Sequence, residues 1–171
     1  MIDTELVFDG TYVSTNSPPW AGVAITTTRV SSNVLNLLAA RDIGIGNDIE
    51  MHVVVTTAFV SAGGATLTID FETCATAGGS YLALNSSPTY AVADLKVGAP
   101  IWRYTLPINQ ALNDTSSTLN APGQYIRLTY TVGTSSFSAG AVLAFLTGMK
   151  DRTVFQAPAN NFTVYAPAAE L

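Results

Sequence analysis

The chain has 171 residues, of which 48% are hydrophobic and only 11% charged, with a formal net charge of -5. That is enough apolar material for one packed domain, and it excludes a disordered chain; globular proteins average about 25% charged residues. The seven Lys and Arg residues are scattered along the sequence, which excludes the clustered, phosphate-neutralising footprint of a nucleic-acid binder.

With so little charge, much of the surface must be Thr, Ser, Asn, Gly and Ala, which suits a protein whose faces are covered by partners. Cys74 is the single cysteine, so neither an intrachain disulfide nor a cysteine zinc site can be built, and Cys74 reads as a small packed residue. The opening MIDTELVFDG has no basic n-region and no apolar h-region and does not read as a signal peptide. No apolar run approaches the roughly 18 residues of a membrane helix.

In chain order, the first predicted strand covers residues 5–8. STNSPPW (14–20) is a loop, because two prolines forbid regular pairing. Strands over 23–28 and 34–38 follow, split by Ser31, Ser32 and Asn33. RDIGIGND (41–48) is a glycine turn. The longest strand is expected over 51–60. Gly63 and Gly64 then read as a hairpin turn into a strand over 65–73. Weaker strands are expected over 81–84, 90–93 and 101–106, and stronger ones over 125–132 and 141–146. The best competing helix is VLNLLAARDI (34–43), on propensity alone. Short strands at regular turn spacing define an all-β chain, a jelly roll or β-sandwich of about 8 antiparallel strands with extended terminal arms. The expected division is an N-terminal strand and arm (1–22), a jelly-roll body (23–146) and an extended C-terminal arm (147–171).

Facing follows from the period of two. Leu67, Ile69 and Phe71 point one way and Thr66, Thr68, Asp70 and Glu72 the other. Ile126, Leu128, Tyr130 and Val132 form an inner face opposite Arg127, Thr129 and Thr131. The stretch AVLAFL (141–146) is apolar on both faces. The set Val142, Ala144 and Leu146 therefore reads as an oligomer or self-packing interface, covered by a neighbour or by the chain's own tail.

Catalytic parts are missing. His52 is the single histidine and no nucleophile elbow accompanies it. Asp70 and Glu72, and the group Asp42, Asp48 and Glu50 around the glycine turn, read as turn and surface carboxylates before they read as a hydrolase pair or a calcium loop. No catalytic residue, metal or cofactor is assigned, and the chain is not expected to be an enzyme. A carbohydrate- or host-surface-binding β-sandwich is the alternative, with Trp20, Trp102 and Tyr104 as the available aromatic platforms.

LNLLAARDIGIGNDIEMHVVVTTAF (35–59), AGGATLTIDFET (62–73) and YIRLTYTVGTSSFSAGAVLAFL (125–146) resemble the small jelly-roll capsid cement, or decoration, proteins of tailed bacteriophages of the podophage type. In that family an apolar strand enters an A-R-D-I-G-x-G turn before a valine-rich strand, and a Y-x-R-L-x-Y-x-V-G strand precedes F-x-A-G and an apolar strand. The resemblance implies a homotrimer on the outer surface of an expanded head, made in the host cytoplasm and carried on the virion. It would bridge subunits of the major capsid protein, with neither nucleic acid nor membrane as partner. Both ends of the chain carry prolines and isolated apolar side chains. Leu6, Phe8 and Trp20, with Phe155, Phe162 and Tyr165, are accordingly expected to be capsid-contacting arm residues.

Overall fold

The computed structural model describes residues 6–13, 20–36, 49–98, 100–106 and 124–148. The N-terminal part forms β1 (Val7–Asp9), β2 (Thr11–Tyr12), β3 (Trp20–Ala21), β4 (Val23–Ala24), β5 (Arg29–Val30) and β6 (Leu35–Asn36). The valine-rich run forms the twelve-residue β7 (Ile49–Val60), followed by β8 (Thr66–Cys74), β9 (Leu82–Ser86) and β10 (Tyr90–Ala91). A 3-10 turn over Val92–Asp94 leads to β11 (Pro100–Thr105), β12 (Tyr125–Gly133) and β13 (Ala139–Gly148).

The short strands line up into longer ones. β1 and β4 pair with successive parts of β13, β5 and β6 with successive parts of β12, and β9 and β10 with successive parts of β8. Counting each such pair as one strand gives eight. One sheet then runs 1-8-3-6 and the other 2-7-4-5, all antiparallel. Successive strands cross from sheet to sheet except between the fourth and fifth, which is the double Greek-key order of a jelly roll. The all-β, jelly-roll expectation therefore holds.

One turn differs from the sequence expectation. Gly63 and Gly64 do not close a hairpin. β7 lies in the first sheet between β13 and β11, and β8 lies in the second between β12 and β9/β10. A Gly-Gly pair specifies that the chain reverses, not which strand it will pair with, and here the reversal carries it across the sandwich. The strand over 23–28 is also shorter than expected, since residues 26–28 bend away after β4. Of the competing helix, Leu35–Asn36 is strand β6 and residues 37–43 lie outside the described residues.

The core follows the alternation. β8 and β12 each place every second residue between the sheets, including Leu67, Ile69, Phe71, Ile126, Leu128 and Tyr130, all fully buried. β13 is an interior strand, flanked by β1/β4 and β7, and both of its faces are buried, one in the inter-sheet core and one in an outer cluster. Its Val142, Ala144 and Leu146 enter the main core, while Leu143 and Phe145 join Val7 and Val54 in a second cluster on the outer face, against which Trp20 packs. The cover on that face therefore includes the chain's own N-terminal segment.

That segment interrupts the first composite strand. Between β1 and β4 the chain leaves the sheet and returns as the β2–β3 ribbon, in which Thr11 pairs with Ala21 and Tyr12 with Trp20. Gly10 makes the exit possible. Its φ is +146°, and a Cβ there would lie 2.3 Å from a Leu143 methyl, so a side chain is both strained and sterically blocked.

Candidate functional site

The residues expected to form an oligomer or self-packing interface or a capsid-contacting arm separate into two groups. Val142, Ala144 and Leu146 are 0–2% exposed and belong to the inter-sheet core. They are packed within the chain, the self-packing of the two expected alternatives, and the outward-facing set of β13 is the complementary one, Leu143 and Phe145. Phe8 is likewise not an arm residue, being fully buried with its ring edge-on to Phe71 at 6.2 Å. Leu6 is 37% exposed, and Trp20 is half-buried on the second cluster. Phe155, Phe162 and Tyr165 lie outside the described residues.

Among the described residues of the N-terminal segment, the β2–β3 ribbon carries the most exposed large side chain. This is Tyr12, 56% exposed, edge-on to Trp20 at 5.6 Å. The ribbon holds an aromatic pair over the first sheet with one ring seated and the other in solvent. The other aromatic candidates are withdrawn. Trp102 is a core residue, and Tyr104 stacks on it at 6.1 Å and leans on Phe71. Neither offers the open ring face that a sugar platform needs.

The carboxylates serve the sheets. Glu72 accepts from the Arg127 guanidinium at 2.7 Å and from the Thr129 hydroxyl at 2.8 Å, and Arg127 in turn lies over the Tyr81 ring at 3.7 Å. Arg127 and Glu72 are register partners on β12 and β8, so this is a cross-strand pair on the second sheet's outer face. Asp70 accepts from the Ser86 hydroxyl of the neighbouring β9. His52 and Glu50 are both buried, with Nε2 and Oε2 3.1 Å apart. The His52 ring stacks on Phe145, and Thr105 donates to Glu50. Asp42 and Asp48 lie outside the described residues, and Cys74 is half-buried. Among the described residues no group of three or more His, Cys, Asp or Glu side chains converges on one point, and no described helix is long and apolar enough to cross a membrane.

Sequence reasoning missed a heavily engaged side chain, Asp9. It is fully buried in β1 and accepts four hydrogen bonds: from the Tyr130 hydroxyl (2.8 Å), the Ser32 N–H (2.9 Å), the Ser32 hydroxyl (2.7 Å) and Arg29 Nη2 (3.3 Å). Burial, then the charge of Asp9 and the hydrogen bond to it, hold the Tyr130 phenol well above its ordinary value. Asn33 adds two bonds to the same strand, its N–H to the Phe8 carbonyl and its side-chain amide to the Val7 carbonyl. A three-residue strand is thereby tied to both sheets.

Fold and site together define a class: a jelly-roll β-sandwich that carries its own N-terminal ribbon across one outer face. The chain belongs to the Bbp16 family, whose model matches residues 20–146. A search of curated proteins finds no match.

Proposed function

We propose that the protein is a capsid cement protein. It binds as a homotrimer to the outside of an expanded phage head and bridges major capsid subunits, without catalysis and without nucleic acid or membrane as partner. The observation that carries this reading is where the resembling segments fall. Residues 35–59 contain β6 and most of β7, residues 62–73 most of β8, and residues 125–146 contain β12 and most of β13. β13 and β7 are the middle strands of the first sheet, and β12 and β8 those of the second. The resemblance thus covers the frame on which a jelly roll is built, and the family match spans the same body.

Such a protein acts thermodynamically. A ligand that binds the assembled shell and not its dissociated subunits stabilises the shell by mass action. A trimer touching several subunits multiplies that effect, since each contact after the first is intramolecular. The ribbon with Tyr12 and Trp20 is the element we assign to neighbour contact, because an exposed aromatic beside a seated one offers apolar area at low entropic cost. The test mixes purified protein with expanded heads that lack it. Saturable co-sedimentation and a raised temperature of shell disruption are expected, with Tyr12→Ser weakening attachment while leaving the free protein's melting temperature unchanged. Failure to co-sediment at micromolar concentration overturns the reading.

A further inference from the structure

The turns that follow β4, β7 and β12 come together at one end of the sandwich. The Phe137 N–H donates to the Thr26 carbonyl, and the Ser61 hydroxyl lies 3.1 Å from that of Ser135. Between them is an open depression of about 460 Å³ lined by Thr27, Thr28, Val132, Thr134, Ser135 and Ser136. Five of these six side chains carry a hydroxyl, the sixth is a half-buried valine, and none is charged.

The depression is braced. The Thr28 hydroxyl bridges the Val132 backbone, accepting from its N–H at 2.9 Å and donating to its carbonyl at 3.4 Å. The Ser61 hydroxyl donates to the Ser136 carbonyl and accepts the Ala65 N–H. At the rim stands Thr134, the only non-glycine residue with positive φ (+68°) among the described residues. The Ser135 N–H closes the turn onto the Gly133 carbonyl at 2.8 Å, which makes it the rare γ-turn with a left-handed centre. A β-branched residue is among the least suited to that conformation, and glycine or asparagine would fit with less strain. The turn thus holds an exposed threonine hydroxyl at the rim against a backbone preference, and strain of that kind points to a site.

The lining selects the ligand class. Without a cation it offers nothing to a phosphate or carboxylate, and without a carboxylate nothing to a metal ion. With one apolar side chain it is a poor seat for a hydrophobe. Neutral hydroxyls around a small apolar floor complement a molecule that is itself a ring of hydroxyls with an apolar C–H face, and the volume lies in the usual range for small ligands, about 300–1,000 Å³. We propose that this depression is a subsite for a neutral saccharide, held by the hydroxyls of Thr27, Thr134, Ser135 and Ser136 with its C–H face on Val132. Lacking an aromatic platform, a single site binds on the order of millimolar. Display of many copies on one particle converts weak sites into avidity, so the site suits attachment to a glycan-coated surface.

The subsite is tested on free protein, so its outcome is independent of whether the protein binds capsids. Backbone amides of the full chain are followed by NMR while methyl glucoside, methyl galactoside or N-acetylglucosamine is added from about 1 to 50 mM, with sodium acetate as the charged control. The expected result is saturable shifts at Thr27, Thr28 and residues 132–136 with at least one sugar and none with acetate. Thr134→Gly and Ser136→Ala should each weaken that binding about tenfold, equivalent to about 1.4 kcal/mol, without lowering the melting temperature. Absence of saturable shifts at these amides with all three sugars, or binding unchanged in both variants, overturns the proposal.

Discussion

At the scale of single residues, Asp9 is where the fold is most exposed to damage. A carboxylate without water needs its donors, and those donors need it: removing it leaves the Tyr130 hydroxyl and one edge of the Arg29 guanidinium facing an empty buried site. Breaking a buried pair of this kind costs about 3–5 kcal/mol. Arg29 remains partly solvated, so the lower figure applies to Asp9→Ala, a fall of about 6–12 °C in melting temperature. Asp9→Asn, which keeps the shape and one acceptor, should fall less. A second expectation concerns alkaline pH. The Tyr130 phenol ionises near 10.0 in the unfolded chain and well above that in the native state. Its contribution is therefore complete below pH about 10 and is lost as pH rises from there toward the native value. Tyr81, Tyr90 and Tyr104 are shifted the same way, chiefly by burial. Denaturant titrations at pH 8 to 11 should show stability falling, and the fall should be shallower, though not absent, in Tyr130→Phe.

At the scale of elements, β1 decides whether the N-terminal segment is an arm or part of the body. Val7 and Phe8 are 2% and 0% exposed, and burial of each side chain is worth about 1.5–3 kcal/mol. Together with Asp9 that approaches the whole stability of an ordinary domain, about 5–15 kcal/mol. The chain lacking residues 1–9 should therefore show no cooperative melting transition, by calorimetry or near-UV circular dichroism. A sharp transition within a few degrees of the full-length protein would return β1 to the status of an arm. The sequence could not show this, because three residues of strand have no period to read. VFD looks like any isolated apolar fragment until Asn33, Ser32 and Tyr130, 23 to 121 positions away from their partners, are brought beside it. The long strands β7, β8, β12 and β13 were legible for the opposite reason, since nine to twelve residues of alternation or unbroken apolarity leave little room for another reading. The doubly apolar β13 was correctly seen to need two covers. Which of its faces was the inner one is a matter of register, and one position of register exchanges Val142, Ala144 and Leu146 for Leu143 and Phe145. The hydroxyl-lined depression left no sequence signal at all, because TTT and TSS read as ordinary turn residues until the fold sets them side by side.

At the scale of the whole molecule, part of the sparse charge among the described residues is taken up by pairs within and between the sheets. Arg29 is engaged by Asp9 and Arg127 by Glu72, so two of the seven cations serve the chain's own stability. Among the described residues the outward faces carry hydroxyls, alanines, the aromatic ribbon and a few charges such as Lys96 and Arg103, a surface better suited to short-range contact than to long-range steering. The cement function proposed above, on such a surface, carries a specific consequence for salt. Attachment dominated by opposed charges weakens steeply with ionic strength, since the screening length falls from about 10 Å at 0.1 M to about 3 Å at 1 M. Attachment through apolar and hydroxyl contacts does not, and burial of apolar area is if anything strengthened by excluded salts. We therefore expect light scattering to give a particle of about three times 17.9 kDa that persists as sodium chloride is raised from about 0.05 to 0.5 M. Over that range the amount co-sedimenting with expanded heads should change less than about twofold. Loss of most of the bound protein at the higher salt would mean that charges beyond the pairs described here, rather than the ribbon, hold it to the shell. A monomer throughout, still able to saturate heads, would confine trimerisation to the shell itself.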